Sequence, residues 1–107
     1  MAVYYFCKGK SKMLSQKEQL ELIILRFIDA HVDLYGEFNV PFIADTFRIH
    51  RTTASAIVTK YKKKKPSNLV YDLSKKKYVK GYTFEKVFLM NERSLSYLNA
   101  IDVIYSS

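Results

Sequence analysis

A chain of 107 residues has the length of one domain, with a single compact core and little left to wall a large substrate cavity. Apolar residues make up 49% of it, which excludes a disordered segment. The one cysteine, Cys7, excludes an internal disulfide and is read as a small apolar residue. No Cys/His cluster has metal-ligand spacing, so neither a metal nor a cofactor is expected.

The formal charge is +8, and its placement matters more than its size. Residues 48–86 hold twelve Lys/Arg against two acids, Asp72 and Glu85, a net of +10. The remainder holds six basics against eight acids, a net of −2. Charge segregated in this way points to a polyanion docking on one face. For lysine runs alone, a solvated face with no ligand is the competing reading. No apolar run approaches the length of a membrane span, about 18 residues. The opening AVYYFC is too short for a signal-peptide core, so a cytoplasmic protein without a membrane partner is expected.

Residues 1–14 form an N-terminal arm. Val3 to Cys7 suits a short strand or a packed segment, and Lys8, Lys10 and Lys12 read as a frayed terminus. Ser15 and Glu18 then make a capping-box pattern, in which the serine accepts from a free backbone N–H and the glutamate reaches back. Leu20, Ile23, Ile24, Phe27, Ile28, His31 and Leu34 follow at helical spacing and predict a helix over 16–35, stopped by Gly36. Lys17, Glu21, Asp29 and Asp33 are assigned to its solvated face, and His31 to packing at the edge of the apolar stripe.

Asn39 as N-cap and Pro41 in the first turn predict a helix over 40–47, with Ile43, Ala44 and Phe47 inward. The small Ala44 suits a steep helix crossing, and Ile49 is expected to plug the turn that follows. A further helix is predicted over 51–64. At about 100° per residue, Ala54, Ile57, Val58 and Tyr61 share its buried face. The opposite side carries Thr52, Ala56, Thr59 and Lys63, flanked by Thr53, Ser55 and Lys60, with no acid from Arg51 to Lys65. Threonines are weak helix formers, so three of them on a plain solvent face would be unusual. Short hydroxyls and methyls suit base edges in a major groove, and lysines suit phosphates.

Pro66 ends that helix. Residues 68–72 and 77–80, joined by Leu73-Ser74-Lys75-Lys76, predict a hairpin in the position of a wing, with Tyr71 and Tyr78 packing inward or across it. Gly81 breaks the second strand, and Tyr82 to Leu89 returns to an apolar alternation. A final helix is predicted over 92–105, capped by Asn91. Its stripe of Tyr97, Leu98, Ile101, Ile104 and Tyr105 is expected to contribute to a homodimer, with packing on its own body as the alternative. The fold class is therefore mainly α with a small β-hairpin, an α+β winged helix-turn-helix.

In that order the pieces YGEFN, FIADTFRIHRTTAS, PSNLVYD, KKYV and YTFEKVF resemble the N-terminal winged helix-turn-helix of WYL-domain repressors, which control BREX and CBASS phage-defence operons. The similarity covers about residues 18–100, and Thr53-Ala54-Ser55 and Pro66 to Asp72 are its most specific parts. The resemblance implies a homodimer that represses by occupying a palindromic operator. Two departures stand out. The chain stops where the linker to a ligand-sensing WYL domain would begin, so no small-molecule ligand is implied. His50-Arg51 also replaces the usual serine-type helix cap, so base preference does not carry over. A stand-alone domain of this kind suggests a small regulator from a phage or mobile element, or a fragment, and the methionine start and polar end favour a full small protein.

The residues thus predict a sequence-specific reader of double-stranded DNA. Arg51, Thr52, Thr53, Ser55 and Thr59 would read bases, and Lys60, Lys63, Lys64, Lys75, Lys76, Lys77 and Lys80 would hold phosphates. The alternative is a protein-binding module gripping an acidic partner or DNA mimic. RNA binding is disfavoured, because single-strand readers expose stacking aromatics among their basic residues. No nucleophile–base pair, paired-carboxylate site or phosphate-cradling glycine loop is present in the sequence, so an enzyme is not expected.

Overall fold

The computed structural model describes residues 4–7, 10–89 and 92–105. Strands β1 (Tyr4–Cys7) and β2 (Lys10–Met13) pair antiparallel, Tyr4 opposite Met13 and Cys7 opposite Lys10. The expected fraying at Lys10 and Lys12 is thus corrected to a strand, whereas Lys8 and Val3 lie outside the described residues.

Helix α1 (Gln16–Tyr35) starts on the full capping box. The Glu18 amide donates to Ser15 Oγ at 3.2 Å and the Ser15 amide to Glu18 Oε1 at 3.1 Å. It ends at Gly36, whose left-handed φ of 77° costs a glycine nothing. That turn launches β3 (Glu37–Phe38), a strand too short for any alternation to reveal. Helix α2 (Val40–Phe47) is capped by Asn39, which accepts from the Phe42 amide at 2.8 Å. Arg48 closes it in the left-handed region, φ 56°, and the Ile49 amide returns to the Ala44 carbonyl at 3.0 Å. This tight turn delivers α3 (Arg51–Lys64) across α2.

A single 3-10 turn, Pro66–Asn68, leads into β4 (Leu69–Asp72), which pairs with β5 (Lys77–Lys80). Strand β5 also pairs with β3, Phe38 opposite Tyr78, so the wing is the outer part of a three-stranded antiparallel sheet in the order β3-β5-β4. Asn68, expected to open the first wing strand, lies in the 3-10 turn and is fully buried. The stretch after Gly81 forms no strand. Residues 81–89 are irregular, with Tyr82 and Thr83 exposed and Leu89 buried.

Helix α4 (Ser94–Tyr105) packs along α1. The proposed cap Asn91 lies outside the described residues. Ile101 is buried, and Tyr97, Leu98 and Tyr105 pack against the common core. Tyr97 Oη donates to the Ile23 carbonyl at 2.9 Å, and Tyr105 meets Phe47 edge-on at 4.9 Å. Four of the five residues expected to face a second copy are therefore engaged in their own chain, and only Ile104 is exposed. A lone amphipathic helix beside α1 buries its stripe at the nearest apolar surface, which is intramolecular.

The core is built from Ile24, Phe27 and Ile28 of α1, Ile43 and Phe47 of α2, Ala54, Val58 and Tyr61 of α3, and Leu69 of β4. Each fully buried aliphatic side chain contributes about 1.5–3 kcal/mol. Helix α1 is central and buries more than one face: Leu25, Ala30 and Val32 are inside, whereas Leu34 is exposed. His31 stacks among Phe27, Tyr35 and Phe42, with centroids 4.8 to 5.6 Å away. Its buried Nδ1 has no hydrogen-bond partner among the described residues, and burial holds its pKa below the usual 6.5.

Candidate nucleic-acid interface

The core-facing residues of α3 fix its outer face by helical geometry. With Ala54, Ile57, Val58 and Tyr61 buried, Arg51, Thr52, Thr53, Ser55, Ala56, Thr59, Lys60, Lys63 and Lys64 are all exposed. The face is bracketed on both sides. Lys60 reaches α1, donating to Glu21 Oε1 at 2.5 Å. On the other side Lys62 lies over the Tyr78 ring of β5, 5.4 Å from its centroid. Thr52, Thr53 and Ala56 line a shallow groove with Lys17 and Leu20 of α1.

Not every base-reading candidate is free to donate. The Thr59 hydroxyl donates to the Ser55 carbonyl at 3.0 Å, leaving that side chain its lone pairs and its methyl for a ligand. Among the described residues no such bond ties Thr52, Thr53 or the Ser55 hydroxyl. His50 precedes the helix without a side-chain cap bond, so the first amides of α3 are not satisfied from within by a serine-type cap.

The seven phosphate-binding candidates divide sharply. Lys60 is paired as above, Lys77 donates to Glu37 Oε2 at 2.7 Å, and Lys80 donates to the Asp33 carbonyl at 3.3 Å and lies 4.0 Å from its carboxylate. Lys80 also covers the Phe84 ring. By contrast, the ammonium groups of Lys63, Lys64, Lys75 and Lys76 make no hydrogen bond or ion pair among the described residues. Lys65, outside the expected set, pairs with Glu85 at 2.8 Å. The lysine hydrogen bonds hold the Glu37 and Glu85 carboxyls below the usual carboxylate range.

The wing tip is pre-formed. Asp72 Oδ1 accepts from the Ser74 amide (3.0 Å), the Ser74 hydroxyl (2.8 Å) and the Lys75 amide (3.2 Å), an Asx-type turn that also lowers the Asp72 pKa. Lys76 takes a left-handed φ of 56° to close the hairpin. Tyr71 and Tyr78 pair across the strands, edge-on at 4.9 Å, and Tyr78 stacks on Phe38 at 5.4 Å. The tip therefore presents Lys75 and Lys76 on a stiff support.

A helix with an acid-free outer face, packed on a shorter helix and followed by a hairpin with a lysine tip, is a winged helix-turn-helix. Residues 21–103 match the winged helix-turn-helix domain of the BrxR transcriptional regulators. The chain belongs to this family. Comparison with curated proteins gave no match. A BrxR-type domain is a transcription-regulator module, and here the fold is α+β, with four α-helices among the described residues, as the motif order implied. Among the described residues no helix is long and apolar enough to cross a membrane, and no His/Cys/Asp/Glu group could hold a metal.

Two acids were misassigned by the sequence. Asp29 and Asp33, expected on a solvated face, are structural. Asp29 is fully buried, and Asp33 Oδ2 accepts from Ser94 Oγ at 2.6 Å, tying α1 to the start of α4. The signal for Asp29 was present. Leu25 and Val32, four before and three after it, share its side of α1 and are buried.

Proposed function

We propose that this BrxR-type domain is a sequence-specific double-stranded DNA-binding repressor, acting in the cytoplasm as a homodimer on a palindromic operator of a phage-defence or mobile-element system. Helix α3 lies in the major groove, with Arg51, Thr52, Thr53, Ser55 and Thr59 at base edges. Lys63, Lys64, Lys75 and Lys76 meet phosphates directly. Lys60, Lys77 and Lys80 join them by exchanging a half-buried carboxylate for a phosphate. The observation that carries this reading is the arrangement of four lysines that form no ion pair among the described residues around an acid-free helix face that is small, polar and exposed.

For the homodimer, the outer side of α4 is what remains. Leu95, Val103 and Ile104 are exposed there, with relative exposures of 53%, 80% and 69%, and Tyr97, Leu98, Ile101 and Tyr105 support them from within.

Selection from a random DNA pool, followed by mass measurement of the bound complex, tests the reading. A palindromic motif and two chains per duplex are expected. Failure to enrich any motif, together with an acidic protein co-eluting, would replace it with the protein-binding module.

A further inference from the structure

The wing of a winged helix is useful only if its tip stands at a fixed distance and angle from the recognition helix. In this chain the two are not joined by the hairpin strands alone. Asn68 sits at the wing's entrance, fully buried. Its Nδ2 donates to Tyr61 Oη at 3.1 Å and to the Glu85 carbonyl at 2.7 Å, and its Oδ1 accepts from the Glu85 amide at 3.0 Å. Its own carbonyl accepts from the Gly81 amide at 2.9 Å, at the wing's exit. One residue thus bonds the last turns of α3, the root of β4 and the segment leaving β5.

Tyr61 passes the connection inward. Its hydroxyl donates to Asp29 Oδ1, while Asp29 Oδ2 accepts from the amides of Val87 (2.7 Å), Phe88 (2.6 Å) and Leu89 (3.0 Å). The same irregular segment is therefore held twice, by Asn68 at Glu85 and by Asp29 at residues 87–89. This network satisfies backbone groups of residues 85–89 that lie in no strand or helix. Its hydrogen bonds are directional, so each restricts orientation as well as distance.

We propose that Asn68 is a positioning residue for DNA binding: through Tyr61 and the Glu85 backbone it locks the wing to the recognition helix. The consequence for DNA rests on the reading above, but the locking does not. Asn68→Ala removes three side-chain bonds, and Tyr61→Phe removes only the hydroxyl while keeping the ring among its core neighbours.

Spin labels at Lys63→Cys and Leu73→Cys, in a Cys7→Ser background, measure the helix-to-wing distance without DNA. Leu73 is exposed and makes no hydrogen bond in the turn, so labelling it leaves the Asp72 turn intact. The expected result is a narrow distance distribution that broadens in Asn68→Ala, and to a lesser degree in Tyr61→Phe should the alanine variant fail to fold. In unlabelled protein, Asn68→Ala should weaken operator binding about tenfold at a temperature where circular dichroism shows it folded. The log–log salt slope should flatten by about two units as Lys75 and Lys76 disengage, at about 0.9 per phosphate. Lys76→Ala should then cost little more in the Asn68→Ala background than in Asn68→Ala alone. An unbroadened distribution, or a full Lys76 effect with an unchanged slope in Asn68→Ala, overturns the proposal. Wild-type protein that binds no DNA, together with broadening in Asn68→Ala, would sink the repressor reading and support the lock.

Discussion

The hydroxyl of Tyr61, on the recognition helix, donates to the buried carboxylate of Asp29, on the central helix. Both side chains are wholly inside the protein. Burial, reinforced by the carboxylate, pushes the Tyr61 pKa well above its usual value. An acid sits here because three successive backbone amides, those of Val87, Phe88 and Leu89, turn inward where no strand or helix satisfies them.

Asp29→Ala should therefore be among the most destabilising single changes. It strands the Tyr61 hydroxyl and three amides, and unsatisfied buried groups cost about 1–3 kcal/mol each, partly relieved by relaxation. A loss of about 3–5 kcal/mol in urea unfolding is expected. A loss under 1 kcal/mol, the range of an ordinary surface change, would mean that water replaces the carboxylate.

Gly81→Ala tests a different constraint. A Cβ at this position would stand 2.0 Å from the Ser67 carbonyl oxygen, a contact with backbone that no side-chain rotation relieves. The expected cost is about 1–3 kcal/mol, as for overpacking. The wing root should loosen before the helical core, seen as amide exchange accelerating first in β4 and β5. Uniform acceleration across the chain would contradict this.

The division among the lysines predicts the salt response. The four ammonium groups without an ion pair among the described residues contribute about −4 to the log–log slope per chain, at about 0.9 per phosphate, and exchange of Lys60, Lys77 and Lys80 onto phosphates takes it toward about −6. Lys76→Ala should flatten it by about one unit and weaken operator and random DNA alike. Thr53→Ala should lower the operator-to-random ratio instead, by the equivalent of about 1–3 kcal/mol. Equal losses on both DNAs for both variants would falsify the division between base reading and phosphate holding.

His31 predicts a pH dependence of stability. Its folded pKa lies below 6.5 because burial among Phe27, Tyr35 and Phe42 disfavours the charged ring, an effect the nearby Glu37 only partly offsets. The unfolded chain then binds more protons than the folded one below about 6.5, so stability falls as the pH drops through that value. The lowered carboxyls of Glu37, Asp72 and Glu85 act in the same direction but at lower pH, their contribution present above about 4.5 and lost as the pH falls through their folded pKa values. In thermal melts between pH 7 and 5, His31→Phe should flatten the profile. A slope identical to wild type would remove His31 as its source.

Much of the helical part was legible because periodicity and caps are local. Ser15 with Glu18, Asn39 with Pro41, and the 54–57–58–61 spacing each involve residues within one or two turns, and each occurs in the fold as read. The strand β3 was not legible, since two residues carry no alternation and Glu37–Phe38 is extended only because β5 lies beside it. The partner of the α4 stripe was not legible either. An apolar face announces that something covers it, not what, and α1 covers most of it.

The sequence alone determined the winged helix-turn-helix order, the acid-free outer face of α3 and the segregation of charge, all of which follow from composition and spacing. Only the tertiary structure decided which charges are available. Glu21, Glu37 and Asp33 come from distant stretches to engage Lys60, Lys77 and Lys80, while among the described residues the ammonium groups of Lys63, Lys64, Lys75 and Lys76 form no ion pair. It likewise decided that Asp29 is buried and Asn68 is a junction, because both depend on the irregular 81–89 segment folding back against α1 and the wing root. Long-range pairing of this kind leaves no period in the chain, since its partners are 17 to 60 residues apart.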